Sequence, residues 1–122
     1  MKNRFLLLMV VALALASCES IFNDDYSAYS VKLVVPADSV LVADTVVQLS
    51  WNAIALPADY EVQLAQPRFD SLAQLIRDTV TKGTSYRVSG LEWGAQYQWR
   101  VRAIGSSSVS PYTKPRTFAV QK

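Results

Sequence analysis

The seven residues from Tyr97 to Ala103, Tyr-Gln-Trp-Arg-Val-Arg-Ala, restrict what this chain can become more than any other stretch. Tyr97, Trp99, Val101 and Ala103 fall on one side of a two-residue period, and Gln98, Arg100 and Arg102 fall on the other. That alternation describes a β-strand with one dry and one wet face. A dry face carrying Tyr and Trp requires a second layer to cover it. The rest of the chain shows what that layer is made of.

The N-terminus has a different texture. Met1 to Arg4 is basic, and an unbroken apolar run follows from Phe5 to Ala16. As a helix such a run reaches roughly 18 Å, short of a hydrocarbon core of about 30 Å. Its length and basic flank are those of a secretory signal, expected over residues 1–17. Leu15-Ala16-Ser17-Cys18 resembles a bacterial lipobox. That resemblance implies a diacylglyceryl thioether and an N-acyl chain, palmitate for example, on Cys18. Three acyl chains at about 0.8 kcal/mol per buried CH₂ anchor a protein durably. Removing the signal takes away Lys2 and Arg4 and no acid, so twelve basic residues become ten against ten acidic ones. The mature surface is balanced, which argues against a nucleic-acid partner.

Residues 18–30 read as the lipidated cysteine and a flexible tether, polar and without period, reaching at most about 40 Å. Acids behind the cysteine, with Glu19 next to it, resemble sorting signals of outer-membrane lipoproteins. The expected place is therefore the bacterial outer membrane, with the periplasmic and surface faces both open. With Cys18 acylated, no disulfide is available inside the chain, yet about 90 residues bury enough surface to fold as one domain.

From Val31 onward, short alternating runs are separated by turn residues. Val31–Val35 stops at Pro36, and Val40–Val42 reads as a short edge segment. Val47, Leu49 and Trp51 alternate, as do Tyr60, Val62 and Leu64 before Pro67. Phe69 to Val80 fits both a helical and a strand period, and is taken as a loop or helical turn feeding a strand. Tyr86 and Val88, the Tyr97 strand, and Phe118 with Val120 complete the series. The expected inward set adds Leu33 and Leu91. Seven strands without a long helix predict an all-β, antiparallel, immunoglobulin-like sandwich over residues 31–122.

Leu49-Ser50-Trp51, Tyr60-Glu61-Val62, Leu91 six residues before Tyr97, Tyr97-x-Trp-Arg-Val-Arg-Ala and Arg116-Thr117-Phe118 together resemble a fibronectin type III domain. The resemblance implies that Trp51 packs in the core and that Leu91 and Tyr97 form a tyrosine corner, the hydroxyl bonding upstream backbone. Trp93 departs from the family, which more often has proline or a small residue there.

The chain contains no histidine, and its one cysteine is Cys18. Ser-His-Asp, Cys-His and histidine-based metal sites are therefore excluded. Asp38, Asp44, Asp59, Glu61, Asp70, Asp78 and Glu92 lie at strand ends and in loops, with no apolar setting to part their pKa values. The Asp24-Asp25 pair reads as solvated, and four isolated glycines make no phosphate cradle. The expectation is a protein without catalysis, metal or cofactor. Glu61, Gln63, Gln98, Arg100 and Arg102 share the wet side of adjacent strands. They form a candidate protein-contact face, with the arginines as anchors and a merely solvated face as the plainer account. Trp93 and Tyr112, if both exposed, make a candidate platform for stacking a sugar; alternatively Trp93 caps the core. The serine loop Ser106–Ser108 has no adhesive triplet. Two functions remain: a membrane-anchored contact module or accessory subunit of the envelope, or a glycan-capturing lipoprotein. A chain closing with its last strand suits the first better.

Overall fold

A computed structural model describes residues 25–70 and 74–122. The signal segment, Cys18 and the first part of the expected tether lie outside the described residues. Among the described residues, eight strands follow a 3-10 turn at Tyr26–Ala28. They are β1 (Lys32–Val35), β2 (Val40–Val42), β3 (Val47–Asn52), β4 (Asp59–Gln66), β5 (Gln74–Thr81), β6 (Ser85–Val88), β7 (Gln96–Ile104) and β8 (Arg116–Val120). One sheet has the order β1-β3-β6 and the other β2-β8-β7-β4-β5. Their inner faces enclose one hydrophobic core, which makes the fold an all-β sandwich.

The expected seven antiparallel strands become eight because the first is divided between the two sheets. β1 pairs with β3, whereas β2 crosses over and lies parallel to β8. Pro36 has no N–H to continue the ladder, and Ser39 turns the chain with φ 62°. Arg116 fastens this crossover. Its guanidinium donates to the carbonyls of Leu33 at 2.8 Å, Val34 at 2.9 Å and Pro36 at 3.1 Å. Thr117 N–H donates to Asp38 Oδ1 at 2.9 Å, and Ser39 N–H donates to Thr117 O at 2.7 Å. The edge of one sheet is thereby tied to β8 of the other.

Alternation places the core where the sequence predicts it. Val47, Leu49 and Trp51, then Tyr60, Val62 and Leu64, then Tyr97, Trp99 and Val101, then Phe118 and Val120 are all buried. Leu33 and Tyr86 are only half-buried at its margin, because they lie on the short strands β1 and β6 at the edges of the smaller sheet. Trp51 tilts against Tyr60 with centroids 5.8 Å apart, and Tyr97 stacks on Phe118 at 5.5 Å. The tyrosine corner is present, with Tyr97 hydroxyl accepting from the Glu92 N–H at 2.8 Å. The upstream backbone group it meets is an amide N–H. Gly94, at φ 83°, follows Trp93 and donates its N–H to Val120 O at 2.7 Å, so the tryptophan is accommodated without loss of the corner.

One expectation is refined and one is corrected. The stretch from Phe69 to Val80 does feed a strand, which begins at Gln74: β5 pairs along β4, with a bulge where Leu64 gives way to Ala65. Two residues of β5 stand opposite one step of β4 there, which explains why its period is hard to read. The last part of the expected tether, from Asp25, is docked on the sandwich. Asp25 Oδ1 accepts from Ser27 N–H at 3.0 Å and Ser27 hydroxyl at 2.5 Å, which lowers the carboxyl pKa and shapes the 3-10 turn. The turn delivers Tyr26 into the pole between the β3–β4 and β7–β8 connections, where it is only 5% exposed. Its hydroxyl donates to Pro57 O, and its N–H donates to Ser108 Oγ at 3.0 Å. The ring occupies the space a side chain at Gly105 would need, since a Cβ there overlaps its edge.

Candidate functional site

Register brings the five predicted face residues together. Glu61 stands opposite Arg102, Gln63 opposite Arg100, and Ala65 opposite Gln98. All lie on the outer face of the five-stranded sheet, because Val62, Leu64, Trp99 and Val101 take the inner one. The face is no simple wet surface. Phe69, from the β4–β5 connection, and Tyr112, from the β7–β8 connection, lie over it.

The arginines are held by these rings. The Arg100 guanidinium sits 4.2 Å from the Phe69 centroid and 4.2 Å from that of Tyr112. The Arg102 guanidinium sits 4.5 Å from the Tyr112 centroid. Arg100 Nε donates to Gln63 Oε1 at 2.9 Å, and Gln63 Nε2 donates to Asp78 Oδ2 at 3.3 Å. Arg102 Nε lies 2.7 Å from Glu61 Oε1, an ion pair whose N–H does not point along the contact. Tyr112 hydroxyl donates to the same carboxylate. Gln98 accepts from Phe69 N–H at 3.0 Å and donates to Thr117 Oγ1 at 3.2 Å, which holds the Phe69 backbone against β7. At the β5 edge of this face, Val80 stands opposite Glu61 and Leu75 opposite Ala65. These two are 55% and 49% exposed.

Burial and the adjacent Glu61 carboxylate push the Tyr112 hydroxyl up to about 12. An acid whose folded pKa is raised retains a proton that the unfolded chain releases near pH 10, so its contribution is full below that pH. It is lost as pH rises through the folded value. Wild type should therefore lose stability relative to Tyr112→Phe between pH 10 and about 12, and the difference should be flat below pH 10. Urea unfolding of both proteins across that range checks it; a constant difference throughout would contradict the assignment.

Trp93 and Tyr112 do not form the expected platform. Trp93 lies in the turn before β7, 46% exposed, with Lys122 Nζ 5.4 Å from its ring centroid. It therefore does not cap the core. Tyr112 lies beside Arg100 and Arg102, roughly 16 Å farther along β7 at strand rise. Its ring is covered by guanidinium groups, and the two aromatics share no partner. Phe69, Asp78 and Thr117 were not foreseen as parts of this face. The adjacent Arg100 and Arg102 were the legible half of the pattern; the rings come from distant connections.

Among the described residues, no group of three or more His, Cys, Asp or Glu is placed to hold a metal ion, and no helix is long and apolar enough to cross a membrane. The two sheets, the split first strand and the tyrosine corner define an immunoglobulin-like sandwich. Residues 35–119 match the fibronectin type III domain family, and the chain belongs to it. Among solved structures it is similar to an Fn3-like protein from Clostridium thermocellum, with 18% identity and a TM-score of 0.55 over 77% of this chain and 97% of that one. It is also similar to the twitchin kinase region of C. elegans, with 19% identity and a TM-score of 0.54 over 74% of this chain and 16% of that one. A cytokine receptor complex gives 26% identity and a TM-score of 0.53 over 75% of this chain and 49% of that one. The chain thus spans less than half of the twitchin region and of the matched chain in the cytokine receptor complex. No curated protein matches it.

Proposed function

We propose that this chain is a non-catalytic contact module, held on the bacterial outer membrane through acylated Cys18, that binds another envelope protein through the outer face of its five-stranded sheet. One observation carries the reading. Arg100 and Arg102 are pre-positioned by Phe69, Tyr112, Gln63 and Glu61 beside exposed Val80 and Leu75. Aromatic and arginine anchors in a braced setting with an apolar border are what protein interfaces are built from. Bracing lowers the ordering cost on association. Docking of Tyr26 adds an orientation. Eight residue steps from Cys18 span at most about 28 Å, so the Pro57–Gly105 pole stays near the lipid and the braced face stands to its side.

The glycan-capturing alternative loses its platform among the described residues, because Trp93 and Tyr112 are apart and the Tyr112 ring is engaged by Arg100 and Arg102. The contact reading is tested by isolating the full chain from solubilised envelopes beside Leu75→Lys/Val80→Lys. A reproducible partner should come with wild type and be reduced at least tenfold with the variant. Recovery of monomer alone, or equal recovery with both, would overturn the reading.

A further inference from the structure

On the outer face, the Arg100 charge has no acid of its own. Among the described residues no carboxylate lies within ion-pair distance of it, and its single hydrogen bond goes from Nε to the neutral Gln63. Glu61 is engaged by Arg102 and by Tyr112 hydroxyl, and Asp78 is reached only through Gln63. The terminal nitrogens of both arginines meet no acceptor among the described residues, so the outward edges of two guanidinium forks are open. The forks are also fixed: both guanidinium carbons lie within 4.5 Å of the Tyr112 ring centroid, and Arg100 is wedged against Phe69 as well.

We infer that this face seats a protein segment through one isolated carboxylate, received by the terminal N–H groups of Arg100 with Arg102 beside it. The inference rests on the contact-module reading and names the chemistry of its partner. A planar guanidinium with an open edge matches a carboxylate in a two-bond fork, and a fixed side chain loses little freedom in forming it. The border sets what stands next to that carboxylate. Val80 and Leu75 present apolar surface along β5, while Glu61 and Asp78 flank the forks with negative charge. A run of acids or a nucleic-acid backbone would place further negative charge against Glu61 and Asp78. A lone Glu or Asp between β-branched residues meets the forks with its carboxylate and the β5 border with its methyl groups.

The test uses the full chain in detergent micelles, with the arginine Nε–H resonances followed by NMR. The probes are the blocked pentapeptide Val-Thr-Glu-Val-Thr, its counterpart with Gln for Glu, and inorganic phosphate. The Glu peptide should shift the signals of Arg100 and Arg102, with at least tenfold higher affinity than the Gln peptide. Arg100→Lys keeps the charge and supplies no fork, so it should weaken the Glu peptide at least tenfold while its thermal unfolding stays near wild type. Equal response to both peptides, or no shift up to roughly 10 mM, overturns the inference. A shift with phosphate and none with the Glu peptide overturns it too. If an envelope partner is lost on changing Leu75 and Val80 yet the peptides fail, the carboxylate assignment falls and the contact module stands. If the Glu peptide binds and no partner is ever isolated, the fork is supported and the contact module falls.

Discussion

Tyr26→Ala should destabilise the domain by about 3 kcal/mol, a loss in the range measured for large buried side chains cut to alanine. Tyr26 is nearly buried although it precedes the first strand, and it lies in the space left by Gly105. Gly105→Ala is expected to cost about 2 kcal/mol, because the new methyl and the ring cannot occupy one volume. Gly105 has no left-handed backbone, so its substitution carries no conformational penalty of its own. The double variant should then be no less stable than Tyr26→Ala alone, since the three atoms nearest the new methyl all belong to the ring that is removed. Gly83, with no atom near its missing Cβ, serves as the control and should tolerate alanine within about 0.5 kcal/mol. Denaturant unfolding of the four proteins closes the cycle. Additive losses from Tyr26→Ala and Gly105→Ala would show that the ring does not sit on Gly105.

The alternating runs were a faithful guide wherever both faces of a strand had one neighbour each. Leu49, Val62, Trp99 and Phe118 are buried because their period matches the pleat, and the Glu61–Arg102 and Gln63–Arg100 register follows from that same parity. What stayed hidden has physical reasons. Tyr26 is one aromatic in a polar run, and a single side chain has no period. β5 carries a bulge, which breaks the alternation that identifies a strand. The split of the first strand depends on Arg116 reaching three carbonyls some eighty residues upstream, a long-range contact with no local trace. Phe69 and Tyr112 converge on Arg100 from two connections on either side of β7 in the chain. Only the fold makes them neighbours.

Cys18→Ala should move the protein from the membrane pellet to the soluble fraction almost completely. One acyl chain gives reversible binding and several give lasting attachment, so under the proposed acylation of Cys18 the variant loses the anchor outright rather than in part. Detergent partitioning of envelopes, with mass spectrometry of the mature N-terminus, measures this. Wild type should begin at Cys18 with the mass of a diacylglyceryl thioether and an N-acyl group. A wild-type N-terminus elsewhere, or unchanged partitioning of the variant, would overturn the anchor. The sandwich is unaffected by either result, because its core lies within residues 25–122.

The proposed contact role of the outer face is tested most directly by placing a photo-crosslinking residue at Val80, on the outer face of the larger sheet, and separately at Arg87, on the opposite side of the sandwich. Arg87 pairs with Gln48, and both are exposed, so the control face is equally open to solvent. Illumination of intact envelopes should give one discrete crosslinked product from position 80, lost when Arg100 is changed to Gln, and none from position 87. Products from position 87 alone, or a product from position 80 indifferent to Arg100, would contradict a partner seated on this face.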